Sequence, residues 1–248
     1  MTISILKQLN SLIITKMNNY EFAMNSPHME MAKFKEFMDD SSEEFVALSP
    51  MIQNQRDWSP YSNQGGTVCV LVGDDFVVVA NDTRLTGDAE IEILSRKCEK
   101  THILTNKIIM TSCGFYGDVL QLRRILELRI NHYEFIYQRP MSLDHDGRGD
   151  LYSYDPVGCI ETKLFEASGN GGSTLSTFFE NQWAYSTVAP EERKNMPKRT
   201  LERALSVIRD AFRGLSERET TTGDSLNVYW LQAGDEKVHQ ETYRLRGD

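Results

Sequence analysis

An α+β sandwich, antiparallel sheets flanked by helices, is the fold class predicted by this sequence of 248 residues. Three observations predict it. Short Val- and Ile-rich runs face each other across tight turns. Two longer segments carry apolar residues at helical spacing. Strands and helices also come in blocks, not in the one-for-one alternation that a parallel βαβ sheet requires.

The elements follow in chain order. Residues 1–57 read as a poorly ordered extension, with an acidic run Asp39-Asp40-Ser41-Ser42-Glu43-Glu44 and one candidate amphipathic helix using Ile5, Leu6, Leu9, Leu12 and Ile13. Composition shifts at about Trp58, so residues 58–248 form the folded domain. Val68 to Val72 and Phe76 to Ala80 are strands joined across Gly73-Asp74-Asp75, and their unbroken apolar character predicts cover on both faces. Further strands are expected at Glu90 to Leu94, His102 to Leu104 and Ile108 to Ser112. From Gly117 to about Phe135, Val119, Leu122, Ile125, Leu126, Leu128 and Ile130 recur as on a helix, with Arg123, Arg124 and Glu127 opposite. Leu151 to Tyr154 and Cys159 to Phe165 form a second strand pair across Asp155-Pro156-Val157-Gly158. The glycine-rich turn Gly169 to Gly172 leads into a helix capped by Ser173, and a last helix spans about Thr200 to Glu217. Leu226 to Leu231 and Val238 to Leu245 close the chain as a hairpin across Gly234-Asp235.

Bulk properties exclude several function classes. With 40% hydrophobic residues the chain is long enough to bury a full core. A net charge of -9 argues against nucleic acid, whose phosphates need clustered Lys and Arg. Cys69, Cys98, Cys113 and Cys159 show no metal-ligand or disulfide spacing, so reduced thiols and no metal are expected. No apolar run reaches the roughly 18 residues of a membrane span, and residues 1–20 lack a secretory pattern. A soluble protein of the cytoplasm and nucleus is the expectation, without a cofactor.

Two motifs lose to plainer readings. Asp144-His145-Asp146-Gly147-Arg148-Gly149-Asp150 alternates carboxylates like a calcium loop, but Arg148 stands where an oxygen ligand is required, so it reads as a hairpin turn. Gly169 to Ser173 precedes a helix but no Lys follows, so it is not a nucleotide loop. The histidines at 28, 102, 132, 145 and 239 show no ligand or triad pairing.

A family signature is carried by several segments together: Trp58 to Thr67 (Trp-Ser-Pro-Tyr-Ser-Asn-Gln-Gly-Gly-Thr), Asp82-Thr83-Arg84, Tyr152 to Gly158, Glu180-Asn181-Gln182, and Glu217-Arg218-Glu219 before Gly223-Asp224. From Trp58 to Asp248 the chain resembles the β subunits of the 20S proteasome, in particular those at the sixth position of the β ring. The resemblance implies a four-layer αββα sandwich of the N-terminal-nucleophile hydrolase type. It also implies partners, the other α and β subunits of seven-membered rings. Between Phe135 and Asp144 the chain is shorter than the family pattern, which implies that one helix and one central strand are missing.

In active members of that family a threonine freed by cleavage after a glycine attacks the peptide, its own amine acting as base, with an Asp and a Lys beside it. Asp82 matches the family Asp. Counting from it without gaps, the nucleophile position falls on Gly66 and the Lys position on Cys98, with Thr67 one residue late and Lys97 one residue early. A one-residue slip in a strand turns a side chain to the opposite face, so Thr67 and Lys97 are expected to point away from the site. The glycine turn Ser168 to Gly172, Glu219 in place of a late Asp, and Thr222 in place of a Ser also depart from the active pattern. The resemblance therefore implies a non-catalytic subunit with vestigial positions Gly66, Asp82 and Cys98. The alternative is an active endopeptidase using Thr67 with Lys97, and a third reading is an assembly factor or binding module on a damaged fold.

Overall fold

In a computed structural model of the chain, the residues described are 9–17, 64–87, 92–141, 149–154 and 159–247. The expected domain boundary at residue 57, the 144–150 loop up to Arg148, and the Asp155 to Gly158 turn lie outside them.

Twelve strands are described, most of them in two five-stranded antiparallel sheets. The first has the order β6 (Thr101–Thr105), β7 (Ile108–Gly114), β1 (Leu9–Met17), β8 (Gly149–Tyr154), β9 (Ile160–Thr162). The second runs β10 (Phe165–Gly169), β2 (Thr67–Val72), β3 (Phe76–Asp82), β11 (Ser225–Gln232), β12 (His239–Arg244). A short pair, β4 (Leu85–Thr86) and β5 (Ile93–Ser95), stands apart. The helices are α1 (Tyr116–Tyr137), α2 (Gly172–Phe179) and α3 (Leu201–Ser216).

The pleat explains the unbroken apolar runs Val68 to Val72 in β2 and Phe76 to Ala80 in β3. Val68, Val70, Val72, Val77 and Val79 pack with Ile109, Cys113 and Leu151 of the first sheet. The alternate residues Cys69, Leu71, Val78 and Ala80 pack with Leu175 and Phe179 of α2 and with Ala204, Ile208, Ala211 and Phe212 of α3. Successive strand residues point to opposite faces, so a stretch covered by apolar packing on both sides is apolar at every position. A third cluster joins Met110 of β7 to Val119 and Leu122 of α1. The α3 helix begins as its sequence indicates, with the Thr200 hydroxyl accepting from the Arg203 N–H at 3.3 Å.

Several elements differ from the sequence expectation. The helix after the glycine turn has Gly171, not Ser173, at its N-cap. Cys159 to Phe165 is not one strand: β9 belongs to the first sheet and β10 to the second, because the chain changes sheets at Lys163-Leu164. The strand expected at Glu90 to Leu94 is Ile93–Ser95, and Glu90 itself lies outside the described residues.

The largest difference concerns the extension. Leu9–Met17 is a strand rather than part of a helix, and it occupies the centre of the first sheet, where a strand was expected to be missing. The run Leu12-Ile13-Ile14-Thr15 is rich in β-branched residues, and two open ladders flank it, so strand pairing outweighs a weak helical periodicity.

At the β6 to α1 contact the His102 Nδ1 lies 3.5 Å from Arg123 Nη1. Burial, and next the Arg123 charge, hold its pKa below the usual histidine value, with Glu99 and Glu127 opposing. The folded state thus disfavours protonated His102, and the stability this contributes is full above its ordinary value of about 6.5 and declines as pH falls through it. The melting temperature is expected to drop as pH is lowered from about 7 to about 5. In His102→Gln the drop is smaller, and an identical profile for the variant would refute the assignment.

Candidate functional site

The site lies where β2 begins, against the end of β3 and the glycine turn before α2. Asp82 is fully buried. Its Oδ1 accepts from the Thr67 backbone N–H at 2.7 Å and from Lys100 Nζ at 2.8 Å. Its Oδ2 accepts from the backbone N–H groups of Arg84 at 3.1 Å and Gly223 at 3.3 Å. Lys100, only 3% exposed, also donates to the carbonyls of Asp82 at 3.0 Å and Arg84 at 2.5 Å. An ammonium has three protons and no acceptor, so all of its donors are in use here.

Thr67 is solvent-free as well. Its hydroxyl accepts from the Gly171 N–H at 3.0 Å and shares a 2.7 Å hydrogen bond with the Thr222 hydroxyl. The Gly66 carbonyl accepts from the Asn170 N–H at 3.0 Å. Arg84 ties the loop carrying Thr222 in place, donating to Asp224 at 3.0 Å and to the Thr220 carbonyl at 2.7 Å. Glu219 accepts from the Thr221 hydroxyl at 3.0 Å.

Gly66 has φ 114°, the left-handed region that favours glycine. A Cβ placed there would lie 2.3 Å from Lys100 Nζ and 3.0 Å from Asp82 Oδ1. The direction in which a side chain at position 66 would project is therefore the direction of the Lys–Asp pair, and the lysine fills that space. Gly66→Ala is expected to destabilise the fold by about 1–3 kcal/mol through backbone strain and displacement of Lys100, read as a lower urea midpoint.

The structure brings Thr67, Asp82, Lys100 and Thr222 together, and it leaves out two residues singled out by ungapped counting. Cys98 does not stand beside Asp82 in the lysine's role. Lys97 is exposed and takes no part. The cationic residue is Lys100, two positions beyond Cys98. A shift of two preserves the pleat, so Cys98 and Lys100 are both buried while Lys97 and Glu99 are exposed. Backbone pairing of the Cys98 N–H with the Thr83 carbonyl at 2.9 Å lays this segment beside the end of β3. The signal that could have found Lys100 was the alternation Lys97-Cys98-Glu99-Lys100, read with an even-numbered insertion in the preceding turn.

Nor does a thiol replace the threonine. Burial raises the pKa of Cys98 and pushes that of Cys113 up to about 12, so both remain protonated and poorly nucleophilic at neutral pH. In the intact chain the nitrogen of Thr67 is an amide that donates to Asp82, not an amine that can take a proton. Among the described residues the hydroxyl, oriented by Gly171 and Thr222, therefore meets no base.

Two antiparallel sheets with helices packed against them, and a Gly-Gly-Thr segment entering a strand beside a buried Asp–Lys pair, match the α+β sandwich expected of the N-terminal-nucleophile hydrolase type. A family model described as "Proteasome subunit" matches residues 62–145 and 141–231. The chain is 38% identical to proteasome subunit beta type-1 of Caenorhabditis elegans, over 83% of its own length and 89% of that protein. It is 32% identical to the protein of the same name in Drosophila melanogaster, over 76% and 91%, and 31% identical to that of Danio rerio, over 77% and 90%. The chain belongs to the proteasome subunit family.

Proposed function

We propose that this chain is a non-catalytic structural component of the 20S proteasome core, a β-ring subunit that shapes the proteolytic chamber in ubiquitin- and ATP-dependent protein degradation. One observation carries the reading. The position that faces the Asp82–Lys100 pair is Gly66, which has no hydroxyl, and Lys100 spends all three protons on Asp82 and two carbonyls. The cluster thereby pins the ends of β2 and β3 to the glycine turn; it holds a fold rather than a substrate. The family and the beta type-1 relatives support the same assignment.

The three core clusters support a four-layer αββα order, with α1 outside the first sheet and α2 and α3 outside the second. The partners are the other α and β subunits, in seven-membered rings, and the location is the cytoplasm and nucleus. The exposed apolar residues Leu128, Phe135, Ile136 and Tyr137 on α1 are surface of a kind that assemblies cover.

Co-purification tests the reading: the chain is expected in a large particle with other proteasome subunits, and recovery only as a free monomer would sink it. Within that particle Thr67→Ala is expected to leave every peptidase activity unchanged. Loss of one activity would instead establish Thr67 as a nucleophile.

A further inference from the structure

We propose that the cleft between β7 and β8 is a strand-acceptor site, that its occupant is this chain's own segment Leu9–Met17, and that this segment is retained in the folded subunit rather than shed by cleavage before Thr67. The placement is central and two-sided. Ile108 to Gly114 of β7 pairs antiparallel with Lys16 back to Leu9, and Gly149 to Tyr154 of β8 pairs with Met17 back to Leu12. In the sheet order β1 separates β7 from β8.

Removal of β1 would leave two ribbons, β6 with β7 and β8 with β9. An isolated two-stranded ribbon is marginal in water, and each would expose a row of unpaired N–H and C=O groups. The exposed rows would border a core: β7 is buried along its whole length, and Leu151 of β8 packs with Val68, Val70 and Val79 of the second sheet. The effect reaches the site, since Cys113 of β7 lies 3.8 Å from the Gly66 and Ser168 carbonyls. A strand held on both sides draws its affinity from main-chain hydrogen bonds, as in recognition by strand addition. Cutting the Gly66–Thr67 bond would therefore leave residues 1–66 bound as a separate fragment.

The intact mass of the chain isolated from its native particle provides the first test. A single chain containing residues 9–17, or an equimolar N-terminal fragment beside a chain starting at Thr67, is the expected result; a Thr67 start with no companion fragment overturns the proposal. Hydrogen exchange on the free full-length chain provides the second and does not depend on ring membership, so it separates failure of this proposal from failure of the subunit reading. Deleting residues 1–19 is expected to accelerate exchange in β7 and β8 by about tenfold or more, whereas deleting residues 1–7 leaves it unchanged. A synthetic peptide of residues 5–19, added to the shorter chain, is expected to restore protection. Unchanged exchange after the longer deletion, or failure of the peptide to restore it, counts against the acceptor site. Sedimentation as a dimer at micromolar concentration, lost on deleting residues 1–19, would show that the strand comes from a second copy and overturn the assignment to the same chain.

Discussion

Asp82→Asn is expected to destabilise the fold by about 3–5 kcal/mol, because it leaves the Lys100 ammonium buried without its counter-charge. Asparagine is nearly the same shape, so the loss is electrostatic rather than one of packing. Its amide group also brings two donors to a place where every neighbour already donates: Thr67 N–H, Lys100 Nζ, Arg84 N–H and Gly223 N–H all point at the carboxylate. One amide oxygen cannot accept from all of them. Lys100→Met alone is also expected to destabilise, by stranding the carboxylate, but less, since three backbone N–H groups still solvate it. The double variant Asp82→Asn, Lys100→Met is expected to lie closer to the parent than the sum of the two single changes. Urea denaturation of the four proteins forms the cycle that checks this, and strict additivity would show that the pair does not act as a unit.

Trp183→Ala is expected to cost a further large amount, about 3–5 kcal/mol, for a different reason. The indole is solvent-free, packs edge-on to Phe76 at 6.3 Å between ring centroids, and donates from Nε1 to the Val72 carbonyl at 3.1 Å. Truncation opens a cavity in the core between the second sheet and α2 and α3, and it orphans that carbonyl at the end of β2. Trp183→Phe refills much of the volume but not the hydrogen bond, so its loss is expected to be intermediate. The order of urea midpoints, parent above Phe above Ala, is the result that bears this out, and equal midpoints for the two variants would assign the whole loss to the hydrogen bond.

Much of the fold is legible in the sequence because its signals are local. Val68 to Val72 and Phe76 to Ala80 announce strands covered on both faces, and the structure distributes their alternate residues between two cores. Apolar residues recur at helical spacing along α3, and Ala204, Val207, Ile208, Ala211, Phe212 and Leu215 are buried. Less legible is where the chain leaves one sheet for the other. Nothing in Cys159 to Phe165 distinguishes one long strand from two short ones, since the division at Lys163-Leu164 is made by which neighbours are available.

The site divides the same way. Gly66 and Asp82 are readable from a motif, because the β2 to β3 hairpin fixes their separation. Lys100 is not, since it reaches Asp82 across a connection whose length counting without gaps cannot supply.

The class of the fold, the family and the glycine facing the Asp–Lys pair can all be read from short-range pattern: a turn, an alternation or a motif. Which lysine meets Asp82 and which segment fills the centre of the first sheet are settled by folding in three dimensions. Both are long-range pairings. Their partners are distant in sequence, and their selection rests on the cost of leaving a buried carboxylate or an open β-ladder unsatisfied, which no local pattern encodes.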